Sequence, residues 1–171
     1  MKTPRSFVAG VVALVVALAV ALAVVFAWQG TAKRNPAPDV AYTLLDGRQG
    51  TLRALRGKVV LVSFWSMNCD TCVNEMPSIV ATDGMFRARG YETLAIAMSY
   101  DPPNYVVSFV QTRQLPFPVA LDVDGAHARA FGNVQLTPTS FIIGKDGRIL
   151  EQKLGELDFV KLRALLDREL S

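Results

Sequence analysis

One run of residues constrains this chain more than any other: Val59–Trp65, VVLVSFW. Only Ser63 interrupts it with a polar group, so an extended strand here would show large apolar side chains on both faces. Such a run suits a strand buried on both sides of a sheet, the situation in which helices cover a largely parallel sheet. Its surroundings fit. Gly57 marks a turn before it, and Ser66-Met67-Asn68 turns the chain after it. A helix is expected from near Cys69 to about Arg89, with Pro77 inside it, Gly84 weakening it and Gly90 ending it.

The remaining elements follow from turn signals and periodicity. Residues 42–45 and 50–52 flank Asp46-Gly47 as a small β-hairpin. Residues 93–98 form a second buried strand. Asp101-Pro102-Pro103-Asn104 opens a helix that carries Val106, Phe109 and Val110 at helical spacing. Residues 119–121 read as a strand and 126–131 as a short helix. Residues 141–143 and 149–152 pair around Lys145-Asp146-Gly147, and an amphipathic helix over 157–170 closes the chain. The order strand–helix–strand–helix–strand followed by a hairpin predicts an α/β fold with a central mixed β-sheet flanked by helices.

With 171 residues the chain holds one ordinary domain and a short appendage. Residues 7–28 contain no charge, and at about 1.5 Å per residue they give a helix of roughly 33 Å, enough to cross a bilayer core. A cleaved signal peptide has a shorter apolar core, about 7–15 residues, and Gly30-Thr31-Ala32 is a weak cleavage site. One uncleaved transmembrane helix is therefore expected. Lys2 and Arg5 before the run and Lys33 and Arg34 after it leave the positive-inside count tied. An N-terminal span leading into a folded domain acts as a signal-anchor. The domain is accordingly expected outside the cytoplasm, on a single-pass protein of the inner (cytoplasmic) membrane, facing the periplasm or the cell exterior. This organises the chain as an anchor over 1–34, a short stiff linker over 35–38 (Asn35-Pro36-Ala37-Pro38) and a folded domain over 39–171. The net charge of +3 arises at the front, since from residue 35 onward 14 basic residues face 15 acidic ones. No basic stripe is left for a nucleic acid, and the basic flanks of the span suit membrane lipid headgroups.

The chain has two cysteines, in Cys69-Asp70-Thr71-Cys72, just after the buried strand and at the expected start of a helix. CxxC in this place of a βαβ unit is a redox signal. Residues three apart on a helix share a face, so the two sulfurs can meet. Unpaired N–H groups and the helix dipole favour a thiolate on the first cysteine, and the second is placed to resolve a mixed disulfide. A loop this short takes little entropy from the unfolded chain, so a disulfide here is a poor staple and a good redox switch. Other readings of the same residues exist. A zinc site wants four ligands, and the only histidine, His127, lies more than fifty residues away. Two inert core thiols are conceivable. Copper delivery could use Met67, Cys69, Cys72 and His127, although Met67 also reads as a loop packing residue and His127 as a surface residue.

Two segments, VVLVSFWSMNCDTCVNEMP and GNVQLTPTSFIIGKDGRI, resemble the TlpA/ResA-like branch of the thioredoxin superfamily, membrane-tethered extracytoplasmic thiol–disulfide oxidoreductases. The resemblance spans about residues 38–171 and implies a thioredoxin-like fold with no cofactor and no metal. It implies that Cys69 attacks and Cys72 resolves through a redox-active disulfide, and that Glu75, three residues on, manages a proton. It places Trp65 at the end of the strand, Pro77 at the kink of the helix, and Thr137-Pro138 in a cis-proline loop, with Trp65, Thr137 and Pro138 docking substrate. Gly147 and Gly155 fall near the last strands. Implied partners are client proteins with disulfides or cysteine pairs, a c-type cytochrome precursor among them, and an upstream membrane thiol donor.

Three departures from an ordinary thioredoxin stand out. Ser63 replaces a buried aspartate, Asn68 replaces the tryptophan before the first cysteine, and Asp70-Thr71 fills the motif. A carboxylate at Asp70 disfavours a thiolate beside it, which points to a reductant of client disulfides rather than an oxidant. A peroxidase reading would need a proline where Val62 stands, with Ser66 in the place of a threonine.

Overall fold

The computed structural model describes residue 10, residues 14–21 and residues 35–171. The chain divides into two compact units, Met1–Arg34 and Asn35–Ser171. In the first, residues 14–21 are helical and exposed. Most of the span expected over 7–28 lies outside the described residues, and among those described no helix is long and apolar enough to cross a membrane.

The second unit opens with a hairpin, β1 (Ala41–Thr43) and β2 (Gln49–Thr51), paired antiparallel. Next come β3 (Val59–Trp65), α1 (Asp70–Phe86), β4 (Tyr91–Ala97), α2 (Pro103–Arg113) and β5 (Val119–Leu121). A one-turn α3 (Ala126–Ala130), the strands β6 (Thr139–Ile143) and β7 (Ile149–Leu154), and α4 (Phe159–Glu169) complete it. The main sheet has the order β5-β4-β3-β6-β7. β3 runs parallel to β4 and antiparallel to β6, so the sheet is mixed and β3 lies at its centre.

The apolar character of β3 is used on both faces, and all seven of its residues are buried. Val59, Leu61 and Trp65 join the cluster under α1, α2 and α4, with Met76, Ile79, Val106, Leu162 and Leu166. Val60, Val62 and Phe64 point the other way, into a cluster with Tyr42 of the hairpin and Ala128 of α3. There Phe64, Phe131 and Phe141 meet edge-on or tilted, with ring centroids 4.7 to 6.1 Å apart. Ser63, where an ordinary thioredoxin buries an aspartate, is registered on Ser140 and lies 3.4 Å from its hydroxyl.

The stretch expected as a linker is tied down. Ala37 N–H donates to Gly147 (3.0 Å) and Ile149 N–H to Asn35 (2.9 Å), so residues 35–37 run alongside the turn between β6 and β7. The hairpin in turn covers the outer edge of β5, through Leu45 N–H to Val119 (3.1 Å). His127 corrects its reading as a surface residue. Its Nδ1 lies 2.9 Å from Asp122 Oδ1 and its Nε2 3.0 Å from the Ala41 carbonyl oxygen, which fastens α3 to β1. Asp122 is buried and also accepts the N–H groups of His127 and Ala128, both at 2.9 Å. Replacing Asp122 by Ala leaves these donors without an acceptor. It is expected to lower unfolding free energy by about 2–4 kcal/mol in urea titrations; a loss within about 0.5 kcal/mol would show that the clasp contributes nothing.

Candidate active site

The site is built where β3 hands the chain to α1. Trp65 ends the strand, Ser66-Met67-Asn68 turn, and Cys69 caps the helix. The Cys69 backbone is extended (φ −105°, ψ 100°), and its Sγ accepts the Cys72 N–H at 3.1 Å. This is the geometry of a helix N-cap with sulfur in place of a hydroxyl oxygen. Cys69 and Cys72 are joined as a disulfide, their Cα atoms 5.2 Å apart. Cys69 is half-buried, whereas Cys72 is 1% exposed and sits in the core with Trp65 and Leu157. An incoming sulfur can therefore reach Cys69 and not Cys72. When the bond opens, a thiolate on Cys69 accepts an N–H at the positive end of α1, which lowers its proton affinity.

The turn is held by a residue that sequence reading assigned only to a helix start. Asp101 is buried, and its carboxylate accepts the Ser66 hydroxyl (2.8 Å) and the Met67 N–H (2.9 Å). Ser66 Oγ in turn accepts the Asn68 N–H at 3.1 Å. These bonds fix the Ser66 hydroxyl and the N–H groups of Met67 and Asn68, and so the path of the turn into Cys69. They also occupy Ser66, which a peroxidase would need free. The signal in the sequence was indirect. Parallel pairing of Trp65 with Ala97 brings the exits of β3 and β4 together, so polar residues just beyond both exits must meet.

Glu75 lies one turn after Cys72 on the same side of α1 and is 3% exposed. Its Oε2 accepts the Leu157 N–H at 3.1 Å. Burial raises its pKa above the ordinary carboxylate value; the Leu157 N–H works against this, and the nearby Glu156 charge adds to it. The Glu75 carboxyl is thus buried in the domain and not a solvated helix group.

The Thr137–Pro138 peptide bond is cis. Thr139 is registered on Phe64, so the bond lies at the end of β6 beside the end of β3 from which the CxxC turn leaves. The Pro138 carbonyl accepts the Gly155 N–H (2.8 Å), and Gly155 has φ +83°, a conformation that favours glycine. Trp65 departs from expectation. It is 1% exposed and packed on Phe109 at 5.2 Å, so it offers no surface to a client and instead supports the turn from beneath. Pro77 stands inside α1, where it removes one bond of the helix ladder. Met67 packs against the core, as a loop residue would. With both ring nitrogens of His127 engaged, the copper reading loses its nitrogen ligand.

The Redoxin family pattern matches residues 32–166. The chain belongs to the Redoxin family. Among curated relatives, this redoxin is 36% identical over 121 residues to the thiol–disulfide oxidoreductase ResA of Bacillus thuringiensis subsp. konkukian, covering 70% of this chain and 68% of that protein. It is 35% identical over 133 residues to ResA of Bacillus anthracis, covering 77% and 75%. Among solved structures, a thiol:disulfide interchange protein of the thioredoxin family from Chlorobium tepidum superposes with a TM-score of 0.74 at 25% identity, covering 82% of this chain and 99% of that one. A Neisseria meningitidis protein solved in solution is 39% identical, with a TM-score of 0.73 over 79% and 90% of the two chains. The fold is thioredoxin-like, and the protein is a thiol–disulfide oxidoreductase.

Two outcomes follow for the carboxylates. A buried acid whose folded pKa is raised holds its proton more tightly in the native state. Stability is therefore greatest below the unfolded pKa, falls as pH rises from there to the folded value, and levels off above it. Glu75→Gln removes that loss, so the variant is expected to gain on the parent between pH 4 and pH 7 in urea unfolding of the oxidised protein. A gap that stays constant would show that Glu75 carries no raised pKa. Asp101→Ala is expected to cost about 1–3 kcal/mol and to speed amide exchange at residues 67 and 68; unchanged exchange there would remove Asp101 from the site.

Proposed function

We propose that this redoxin is a membrane-tethered, extracytoplasmic reductase of client disulfides. The observation that carries the reading is the unequal pair: a reachable Cys69 capping α1 over a buried Cys72 with buried Glu75 one turn on. The Cys69 thiolate attacks one sulfur of a client disulfide, forming a mixed disulfide and releasing the first client thiolate. Glu75 takes the proton from Cys72 as Cys72 attacks Cys69 Sγ, and the second client thiolate leaves. Two electrons pass to the client, and the Cys69–Cys72 disulfide is restored. A dithiol donor in the membrane must then reduce it. Thr137 and Pro138, at the same end of the sheet, offer backbone for an extended client segment carrying a cysteine pair, such as a c-type cytochrome precursor.

Tethering rests on the uncharged run over 7–28 and on likeness to the ResA proteins. Direction rests on charge. Asp70, exposed beside Cys69, opposes a thiolate there, and a less stable thiolate makes a stronger reductant. The deciding measurement is the reduction potential of the pair, read as alkylated thiols in graded redox buffers. A value near or below about −270 mV supports a reductase. A value near about −120 mV, that of a strong oxidant, would make the protein a disulfide donor and end this reading. Asp70→Asn is expected to shift the potential upward, and Cys72→Ser to accumulate a Cys69-linked client in membrane fractions.

A further inference from the structure

At the end of the sheet opposite the cysteines, cations gather where the chain enters the domain. Arg53, Arg56, Lys58, Lys145 and Arg148 are all exposed there. Asp39, Glu92 and Asp146 pair with Arg53, Lys58 and Arg148. Arg56 and Lys145 have no ion pair and no side-chain hydrogen bond among the described residues. Gly57 N–H donates to the Lys145 carbonyl at 2.9 Å, which brings the backbone that follows Arg56 against Lys145. Beside them opens a cavity of about 220 Å³, walled by Pro36, Pro38, Leu52, Leu55 and Ile143. Arg56 and the Arg53–Asp39 ion pair also line it, and the Arg56 guanidinium lies so close to Gly147 that a Cβ there would meet it at 3.2 Å.

This surplus of positive charge stands out because residues 35–171 carry a net charge of −1. It also lies at a particular place. Asn35 and Ala37 are bonded to the turn that carries Lys145 and Arg148, so the chain arrives at this corner. The uncharged run ends at Trp28, and seven residues at full extension reach about 25 Å. A span that anchors the chain would keep this corner within that reach of the headgroups.

We propose that this corner is a docking surface for anionic phospholipid headgroups, with Arg56 and Lys145 on the phosphates and the apolar slot receiving the glycerol and upper acyl segment. The proposal rests on the membrane-anchor reading above and adds an orientation to it. β3 runs from Val59 at this corner to Trp65 at the turn, about 20 Å at the usual strand rise. Docking therefore turns the Cys69–Cys72 disulfide outward, toward soluble clients.

The test uses the full chain in nanodiscs of phosphatidylcholine alone or mixed with phosphatidylglycerol, read by amide exchange. Residues 53–58 and 144–148 are expected to exchange severalfold more slowly on the anionic discs, while residues 66–72 exchange alike on both. The difference is expected to vanish in about 1 M salt, where screening reaches about 3 Å. It is also expected to be lost in an Arg56→Gln, Lys145→Gln variant, since each cation contributes about fivefold to binding. A Lys153→Gln, Arg168→Gln variant removes equal charge elsewhere and is expected to keep it. Equal exchange on both discs, or a difference that survives loss of Arg56 and Lys145, overturns the proposal. So does the same protection on neutral discs from added inorganic phosphate, which would assign the corner to free phosphate. Those results leave the anchor reading standing; a chain that alkaline carbonate washes from membranes overturns both.

Discussion

Burial of β3 on both faces is the constraint from which the rest of this structure follows. A strand at the centre of a mixed sheet has neighbours on both edges and apolar clusters above and below, so its direction and register are fixed many times over. The residue after such a strand therefore leaves the sheet at a defined place. Asp101 converts that definition into chemistry. By accepting Ser66 and the Met67 N–H, it sets the path of three residues and hence the position of the Cys69 sulfur over the first turn of α1. A loop held only by its own backbone would give the sulfur a range of positions, and the N-cap bond from Cys72 would form part of the time.

That precision matters because the two cysteines must differ. Both belong to one short loop, and symmetry in sequence would make them equivalent nucleophiles. The fold breaks the equivalence by depth. Cys69 precedes the helix, with its sulfur half-exposed and facing an N–H donor; Cys72 is one turn in, beneath apolar side chains. Exposure and a hydrogen-bond donor favour thiolate at the first position, while burial disfavours it at the second. In the mechanism we propose, Glu75 answers the problem this creates. A buried thiol that must become a nucleophile needs a base nearby, and an acid whose own pKa is raised by burial is closer in proton affinity to a thiol than an ordinary carboxylate.

Much of this was legible in the sequence because it rests on local signals. The run VVLVSFW announced a doubly buried strand, Gly90 the stop of the 3-10 turn Arg87–Arg89 into which α1 passes after Phe86, and CxxC the chemistry. Each depends on a few adjacent residues and a strong preference. What escaped reading depends on residues brought together by the sheet. Asp101 and Ser66 are 35 residues apart, and the Asp122–His127–Ala41 clasp spans 86. A histidine on a one-turn helix looks like a surface residue until the hairpin is folded against it. Trp65 misled in the opposite way, because a tryptophan near a CxxC suggests contact with substrate, and only packing shows that its ring is spent on Phe109. The tie between Asn35 and the β6–β7 turn was hidden for a simpler reason: a Pro-rich stretch reads as linker whether or not it has a partner.

The direction of electron flow is a balance among charges close to the dithiol. The end of α1 and the N–H of Cys72 favour thiolate on Cys69, and acting alone they would make the disulfide easy to reduce and the protein oxidising. Three carboxylates stand near the motif. Asp70 is exposed, so water screens its effect on the neighbouring sulfur. Asp101 is buried but spends its acceptor capacity on the turn. Glu75 is buried, neutral over a wider range of pH than an ordinary acid, and lies one turn after Cys72 on α1. No single group dominates, and the helix contribution comes from the backbone of α1 whatever residues fill the motif. The contributions that differ are the residues inside the motif, which lie nearest the sulfur that must carry charge. Asp70 is the one ionisable side chain among them, and its sign opposes the thiolate. That sign is the ground on which we propose a dithiol that gives its electrons away.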